Sequence, residues 1–162
     1  MKFYPRSFNM GLSASLAKKI GGFSYLRHGQ DIEYSNRIIK SGAKVIYIND
    51  AIVYHKRRTS IKKFFMQVFN WGVARIQLRK IDKDMLRLIH CLPAIVTLLS
   101  PIIWPIGLVI VLISGIHAAV SYRSFAMLYY VPVVMPTQII GYGLGFLYAL
   151  LFYKKKLVGF KC

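Results

Sequence analysis

Two apolar runs decide the fold: LIHCLPAIVTLLSPIIWPIGLVIVLISGIHAAVSY, residues 88–122, and SFAMLYYVPVVMPTQIIGYGLGFLYALLFY, residues 124–153. Neither run contains a Lys, Arg, Asp or Glu. A helix needs roughly 20 apolar residues to cross the hydrocarbon core of a bilayer, so each run is long enough to span it. We therefore predict two transmembrane helices within 88–156. Prolines interrupt the start of the first run, so we expect its pass near 102–120, after an interfacial stretch.

Basic residues flank these runs unevenly. Only Arg123 lies between them, while 154–156 is a run of three lysines and four basic residues precede the first run: Arg79, Lys80, Lys83 and Arg87. Positive residues accumulate on the cytoplasmic side of a membrane. We therefore expect a multi-pass protein of the plasma (inner) membrane with both termini in the cytoplasm, including a short tail at 157–162.

The rest of the chain is strongly basic, and the whole protein has a formal net charge of +18. Such a charge suits a polyanionic partner: nucleic acid, anionic lipid or the phosphates of a nucleotide. The aromatic residues follow helical and strand periodicities instead of forming a stacking platform for bases. We therefore do not expect nucleic acid as a partner, and we do expect the lipid bilayer.

Local patterns before the membrane runs predict short helices and two strands. Ser13 can cap a helix that ends at Gly21, and a second helix starts at Asp31 and ends at Gly42. The β-branched and aromatic stretches 43–48 and 51–55 favour strands, with a turn at 49–50 between them.

A third helix is predicted within 59–87, capped by Thr59 or Ser60. Its apolar residues recur at helical spacing, and basic residues accompany them. This pattern is typical of an amphipathic helix lying on an anionic membrane surface.

Asp31 is the first candidate for chemistry. A carboxylate at a helix N-terminus can simply cap the helix, and the helix dipole keeps it ionised. The same position also suits a general base that takes a proton from a hydroxyl group. Local spacing does not decide between these interpretations.

A longer pattern surrounds Asp31. The strings FNMGLSASLAKKIGGF, GQDIEYSNRIIKSGAKVIYINDAIVYHKRRTS and FNWGVAR follow one another within residues 8–75. In order and spacing they resemble the acceptor-side half of family 2 glycosyltransferases, and the apolar tail resembles the membrane anchor of a bacterial subgroup. The resemblance implies an α/β remnant of a GT-A domain at 1–58. It also implies inverting transfer of a sugar from a nucleotide-sugar donor to a glycan or lipid-linked acceptor, in surface polysaccharide or glycolipid synthesis.

The resemblance also implies roles for individual residues. Asp31 matches the catalytic base, and Gln30 stands where the family has a preceding acid. The same motif implies substrate contacts for Gly29, Gln30 and Glu33. His55 matches a position that often binds the metal or diphosphate, although a structural histidine fits equally. The remaining substrate-binding candidates are the diphosphate contacts Arg57 and Arg58, which also suit a membrane surface, and Trp71 and Arg75 for sugar binding.

One part of the family pattern is missing. Family members place a nucleotide-binding half and an Asp-x-Asp metal motif before the point where this sequence begins. The string Asp82-Lys83-Asp84 lies elsewhere and suits solvated surface. The expectation is the C-terminal piece of an enzyme that, when complete, uses a divalent metal (Mg or Mn), and that is inactive as this piece alone. The alternative is a non-enzymatic two-pass membrane protein whose basic segment binds anionic lipid or a partner.

Overall fold

The computed structural model describes residues 5, 7–54 and 59–153. The chain divides into two compact units, and each is described by itself. Of the described residues, 5 and 7–54 belong to the first unit and 59–153 belong to the second.

The first unit contains a 3-10 turn at Ser7–Asn9 and two helices, α1 (Ala14–Ile20) and α2 (Gln30–Lys40). The N–H of Leu16 donates to the Ser13 hydroxyl at 3.4 Å, which confirms the predicted cap. After α2, Gly42 adopts a φ of +82°, a left-handed conformation that ends the helix where the sequence predicted. Both short helices are therefore confirmed.

The predicted strands are wrong. Within 7–54 and 59–153 no strand forms, and residues 43–54 are irregular chain with only the expected turn at 49–50. The side chains of this stretch are open to solvent: Ile46 is 74% exposed and Tyr54 is 95% exposed. A strand needs a partner edge and a surface to pack on, because two short strands alone are marginal in water. The α/β remnant of a GT-A domain is therefore not the fold of the described residues.

The second unit contains three long helices: α3 (Ile61–Ile81), α4 (Leu92–Ser121) and α5 (Met127–Phe152). Ser60 caps α3 by accepting from the N–H of Lys63 at 3.2 Å. Helices α4 and α5 are long and apolar enough to cross a membrane, as predicted. Helix α4 is continuous from Leu92, so the interfacial stretch expected before residue 102 is part of the same helix. At 1.5 Å per residue α4 is about 45 Å long, which exceeds the roughly 30 Å hydrocarbon core.

Prolines inside α4 do not break it. Pro101 has no N–H to give to the carbonyl four residues earlier, that of Thr97. The hydroxyl of Ser100 donates to this carbonyl at 2.8 Å instead. Such side-chain donors are how apolar helices satisfy backbone groups freed by proline.

Glycines on α5 face two different neighbours. A Cβ at Gly145 would lie 1.9 Å from the carbonyl oxygen of Phe69, and a Cβ at Gly141 would lie 2.6 Å from Val68, both on α3. A Cβ at Gly143 would lie 2.6 Å from the carbonyl oxygen of Pro93, on α4. The prediction that these glycines allow close helix approach is confirmed, and α5 is the shared partner of α3 and α4.

Helix α3 runs in the same direction as the second half of α5. Contacts proceed in order along both helices, from Val68 beside Gly141 to Lys80 beside Tyr153. A small apolar core joins α3, α4 and α5, and its buried members are Val73, Ile76, Ala94, Phe146 and Ala149. The helix predicted within 59–87 is confirmed as a helix, but much of its apolar surface packs on protein. A position on a membrane surface remains a prediction.

Candidate functional site

The turn before α2 positions the predicted base. Gly29 adopts a φ of +81° and a ψ of 11°, the left-handed region that side chains with a Cβ disfavour. The amide of Gln30 donates to the carbonyl of Leu26, which is almost fully buried. Helix α2 begins at Gln30, so Asp31 lies in its first turn and Gly29 is the N-cap residue. The interpretation of Asp31 as the N-cap is therefore wrong.

Glu33, in the same turn, is buried and paired. Its side chain is 2% exposed and accepts from the guanidinium of Arg37 at 2.6 Å and 3.1 Å. Arg37 also donates to the carbonyls of Ile20 at 2.7 Å and Gly22 at 2.6 Å. One arginine thus neutralises a buried carboxylate and ties the end of α1 to α2.

Aromatic packing supports this arrangement. The rings of Phe23 and Tyr34 lie 4.6 Å apart, and the Arg37 guanidinium carbon lies 5.0 Å from the Tyr34 ring centre. The hydroxyl of Ser35 donates to the carbonyl of Pro5, so α2 also holds Pro5 in place. These contacts fix the rotation of α2 and therefore the direction of its first turn.

The two carboxylates of this turn therefore differ in environment. Glu33 is enclosed and its charge is matched, whereas Asp31 is only half-buried and can be reached from solvent. A general base must come within hydrogen-bond distance of its substrate. Of the two, Asp31 is the one that meets this requirement of access.

Trp71 and Arg75 lie on α3, in the second unit. Trp71 is 47% exposed, and Arg75 is half-buried close to His90 and the hydroxyl of Tyr142. His90 precedes α4, and its Nδ1 accepts from the N–H of Arg87 at 3.0 Å. Burial, with the positive charges of Arg75 and Arg87, lowers the pKa of His90 below its usual value of 6.5. Arg75 thus lies between α3 and the residues just before α4, where its charge acts on His90.

Three predicted residues, His55, Arg57 and Arg58, lie outside the described residues. Across 7–54 and 59–153, no three His, Cys, Asp or Glu side chains lie close enough together to hold a metal ion. Asp82, from the Asp-x-Asp string, accepts from the N–H of Asp84 at 3.1 Å and so caps the turn at Lys83–Met85.

Sequence reasoning missed Arg37. The signal was present, because Glu33 and Arg37 are four residues apart on a helix and such pairs face each other. The burial of this pair, which makes it important for the stability of the first unit, can be seen only in the structure. Comparisons with protein-family models, curated proteins and solved structures found no match.

Proposed function

We propose that this protein takes part in transferring a sugar from a nucleotide-sugar donor to a glycan or lipid-linked acceptor at a membrane. The observation that carries the proposal is the position of Asp31. It is the second residue of α2, two residues after the left-handed Gly29, and it is half-buried, whereas Glu33 in the same turn is buried and paired with Arg37. The ordered motifs around this turn, which resemble those of family 2 glycosyltransferases, support the same chemistry.

In the proposed reaction Asp31 takes the proton of an acceptor hydroxyl. The hydroxyl oxygen then attacks the anomeric carbon of the donor sugar, and the bond from that carbon to the nucleoside diphosphate breaks. The electron pair leaves with the diphosphate, and the anomeric configuration inverts.

The membrane placement supports this use of Asp31. Helices α4 and α5 are long and apolar enough to span a bilayer. With the positive residues on the cytoplasmic side, both ends of the hairpin face the cytoplasm. The proposed location is therefore the plasma (inner) membrane, with Asp31 on the side where nucleotide sugars occur.

The test compares two carboxamide variants. Asp31→Asn removes the proposed base, and Asp50→Asn makes the same change at an exposed turn residue in the same unit. Each variant replaces the wild type in the source cells, so that any donor-binding partner is present. Membranes are then assayed for incorporation of labelled sugar from nucleotide sugars into lipid and glycan fractions.

We expect Asp31→Asn to lose at least about 100-fold in rate, as is typical when a general base is removed. Asp50→Asn should keep the wild-type rate. Equal rates for the two variants, or no incorporation that depends on the protein, would contradict the proposal.

The alternative is a non-enzymatic membrane protein whose basic segment holds anionic lipid or a partner. The two candidate spans support it as well as they support an anchored enzyme. It predicts that Asp31→Asn keeps function in the cell, and that neutralising Lys56, Arg57 and Arg58 abolishes it.

A further inference from the structure

A cavity of about 450 Å³ lies between the last turn of α3 and the end of α5, within the second unit. This volume falls within the roughly 300–1,000 Å³ range of ligand pockets. Its walls combine cationic and apolar side chains, and the residues that line it are Ile76, Arg79, Lys80, Ile81, Lys83, Ala149, Leu150 and Tyr153. None of them was assigned to the sugar-transfer site.

The cationic side of the cavity has one fixed and two available charges. Lys80 donates to the backbone carbonyl of Tyr153 and lies 5.0 Å from the centre of its ring, so it is fixed at the end of α5. Arg79 and Lys83 are exposed, and neither forms an ion pair with another residue that the structure describes. Of the two acids that flank Lys83, Asp82 accepts a hydrogen bond from the N–H of Asp84 and so caps the following turn. Two cations are therefore directed at a shared space.

Helix electrostatics do not account for the whole cluster. Cations in the last turn of a helix offset its dipole, and this explains Arg79 and Lys80. Lys83 lies beyond the end of α3, in the 3-10 turn Lys83–Met85, so the dipole does not require it there. Its place at the cavity adds a third positive charge to a concave surface.

The apolar side of the cavity continues onto the surface of α5. Ile76 and Ala149 form a buried floor, and Leu150, at the rim, is 54% exposed. The neighbouring Leu151 and Phe152 are 65% and 69% exposed at the end of a helix apolar enough to span a bilayer. A ligand that fits has a phosphate at one end and hydrocarbon at the other, as a membrane lipid does. A free phosphate or nucleotide would leave the apolar half uncovered.

We propose that this cavity binds an anionic phospholipid. Arg79 and Lys83 hold the phosphate oxygens, for which guanidinium and ammonium donors are suited. Lys80, held by Tyr153, sets the positive potential between them. An acyl chain lies along Leu150 and the exposed end of α5. The proposal concerns lipid binding only, and it stands or falls independently of sugar transfer.

The test measures which lipid remains bound to the full-length protein after purification in detergent. Protein is purified from liposomes containing equal amounts of phosphatidylglycerol and phosphatidylcholine, and bound lipid is identified by native mass spectrometry. The test variant is Arg79→Gln with Lys83→Gln. The matched control is Lys62→Gln with Lys63→Gln, which removes the same charge from exposed residues at the other end of α3. A third variant, Arg79→Lys with Lys83→Arg, keeps both charges.

We expect wild type, control and charge-keeping variants to retain phosphatidylglycerol in preference to phosphatidylcholine. Each basic residue near an anionic lipid surface contributes about 1 kcal/mol, so loss of two should weaken retention roughly 30-fold. Helical content measured by circular dichroism confirms that each variant is folded.

Three results would overturn the proposal. The first is equal retention by the test variant and the control, whether both keep the lipid or both lose it. The second is equal retention of the two lipids by the wild type. The third is displacement of the lipid by inorganic phosphate or glycerol 3-phosphate at concentrations similar to those of the lipid, which would indicate a site for free phosphate.

Discussion

The contact between α3 and α5 allows a graded prediction about Gly145. An added methyl group at this position would lie 1.9 Å from the carbonyl oxygen of Phe69, and in return a Cβ at Gly72 would lie 2.1 Å from the carbonyl oxygen of Tyr142. Both obstacles are backbone atoms, which cannot rotate away. The helices must therefore separate to admit Gly145→Ala.

The magnitude follows from two opposed effects. Overpacking of a tight interface costs about 1–3 kcal/mol, and two rigid backbones place this contact at the upper end. Replacing glycine by alanine within a helix returns about 1 kcal/mol. We expect a net loss of about 2 kcal/mol for Gly145→Ala. Gly141→Ala should lower the free energy of unfolding by less, because its added Cβ meets the side chain of Val68 instead of backbone. Gly107→Ala should not lower the free energy of unfolding, because no atom lies within 4 Å of its added Cβ.

The assay is unfolding of the purified protein in mixed micelles by titration with a denaturing detergent. Fluorescence of Trp71, in a Trp104→Phe background, reports on α3, and circular dichroism reports on total helix. Gly72→Ala should resemble Gly145→Ala. The variant that combines Gly72→Ala and Gly145→Ala should lose less free energy of unfolding than the sum of the two single losses, because the first methyl group already separates the helices. If Gly145→Ala and Gly107→Ala unfold at the same midpoint concentration of denaturing detergent, the close packing of α3 on α5 is refuted.

Three further changes test other parts of the structure. Arg37→Ala leaves Glu33 buried without its partner and should lower the free energy of unfolding by about 3 kcal/mol in thermal denaturation, whereas Lys19→Ala, an exposed control, should change it little. Gly29→Ala forces a side chain into a left-handed conformation and should lower the stability of the first unit by about 1–2 kcal/mol, with Gly29→Asn losing less; equal stability of all three forms would contradict the turn. The pKa of His90 is lowered in the folded state, so the unfolded chain takes up a proton first as pH falls below 6.5, and stability should decrease with falling pH until the folded-state pKa is passed. His90→Asn should remove that dependence, and a slope that persists in this variant would assign it to another group.

The helices were predictable because their signals are local. Ser13, Gly42 and Ser60 act at helix ends through contacts within a few residues, and the apolar runs identify α4 and α5 by length alone. The absence of the strands predicted at 43–48 and 51–55 could not be foreseen from local signals, because a strand depends on a partner edge elsewhere in the chain. The β-branched residues of these two stretches favour a strand only where a pleated, half-buried surface is present, and the described residues offer no such surface.

The start of α2 was predictable from the sequence, but the environments of its two acids were not. The motif located Asp31 and Glu33 at the start of α2, yet only the fold separates a half-buried acid from one that Arg37 neutralises. The glycines of α5 likewise indicated close packing. That Gly141 and Gly145 meet one helix while Gly143 meets another depends on where the three helices lie in space.

The parallel packing of α3 on α5 has a consequence for synthesis. About 70 residues separate the end of α3, at Ile81, from the end of α5, at Phe152. At the usual 5–20 residues per second, the ribosome completes α3 roughly 4–14 s before its partner is finished. During this interval the face that Gly145 later covers has no helix against it. For a nascent chain at a bilayer, lipid is the apolar environment that can cover this face until α5 is complete.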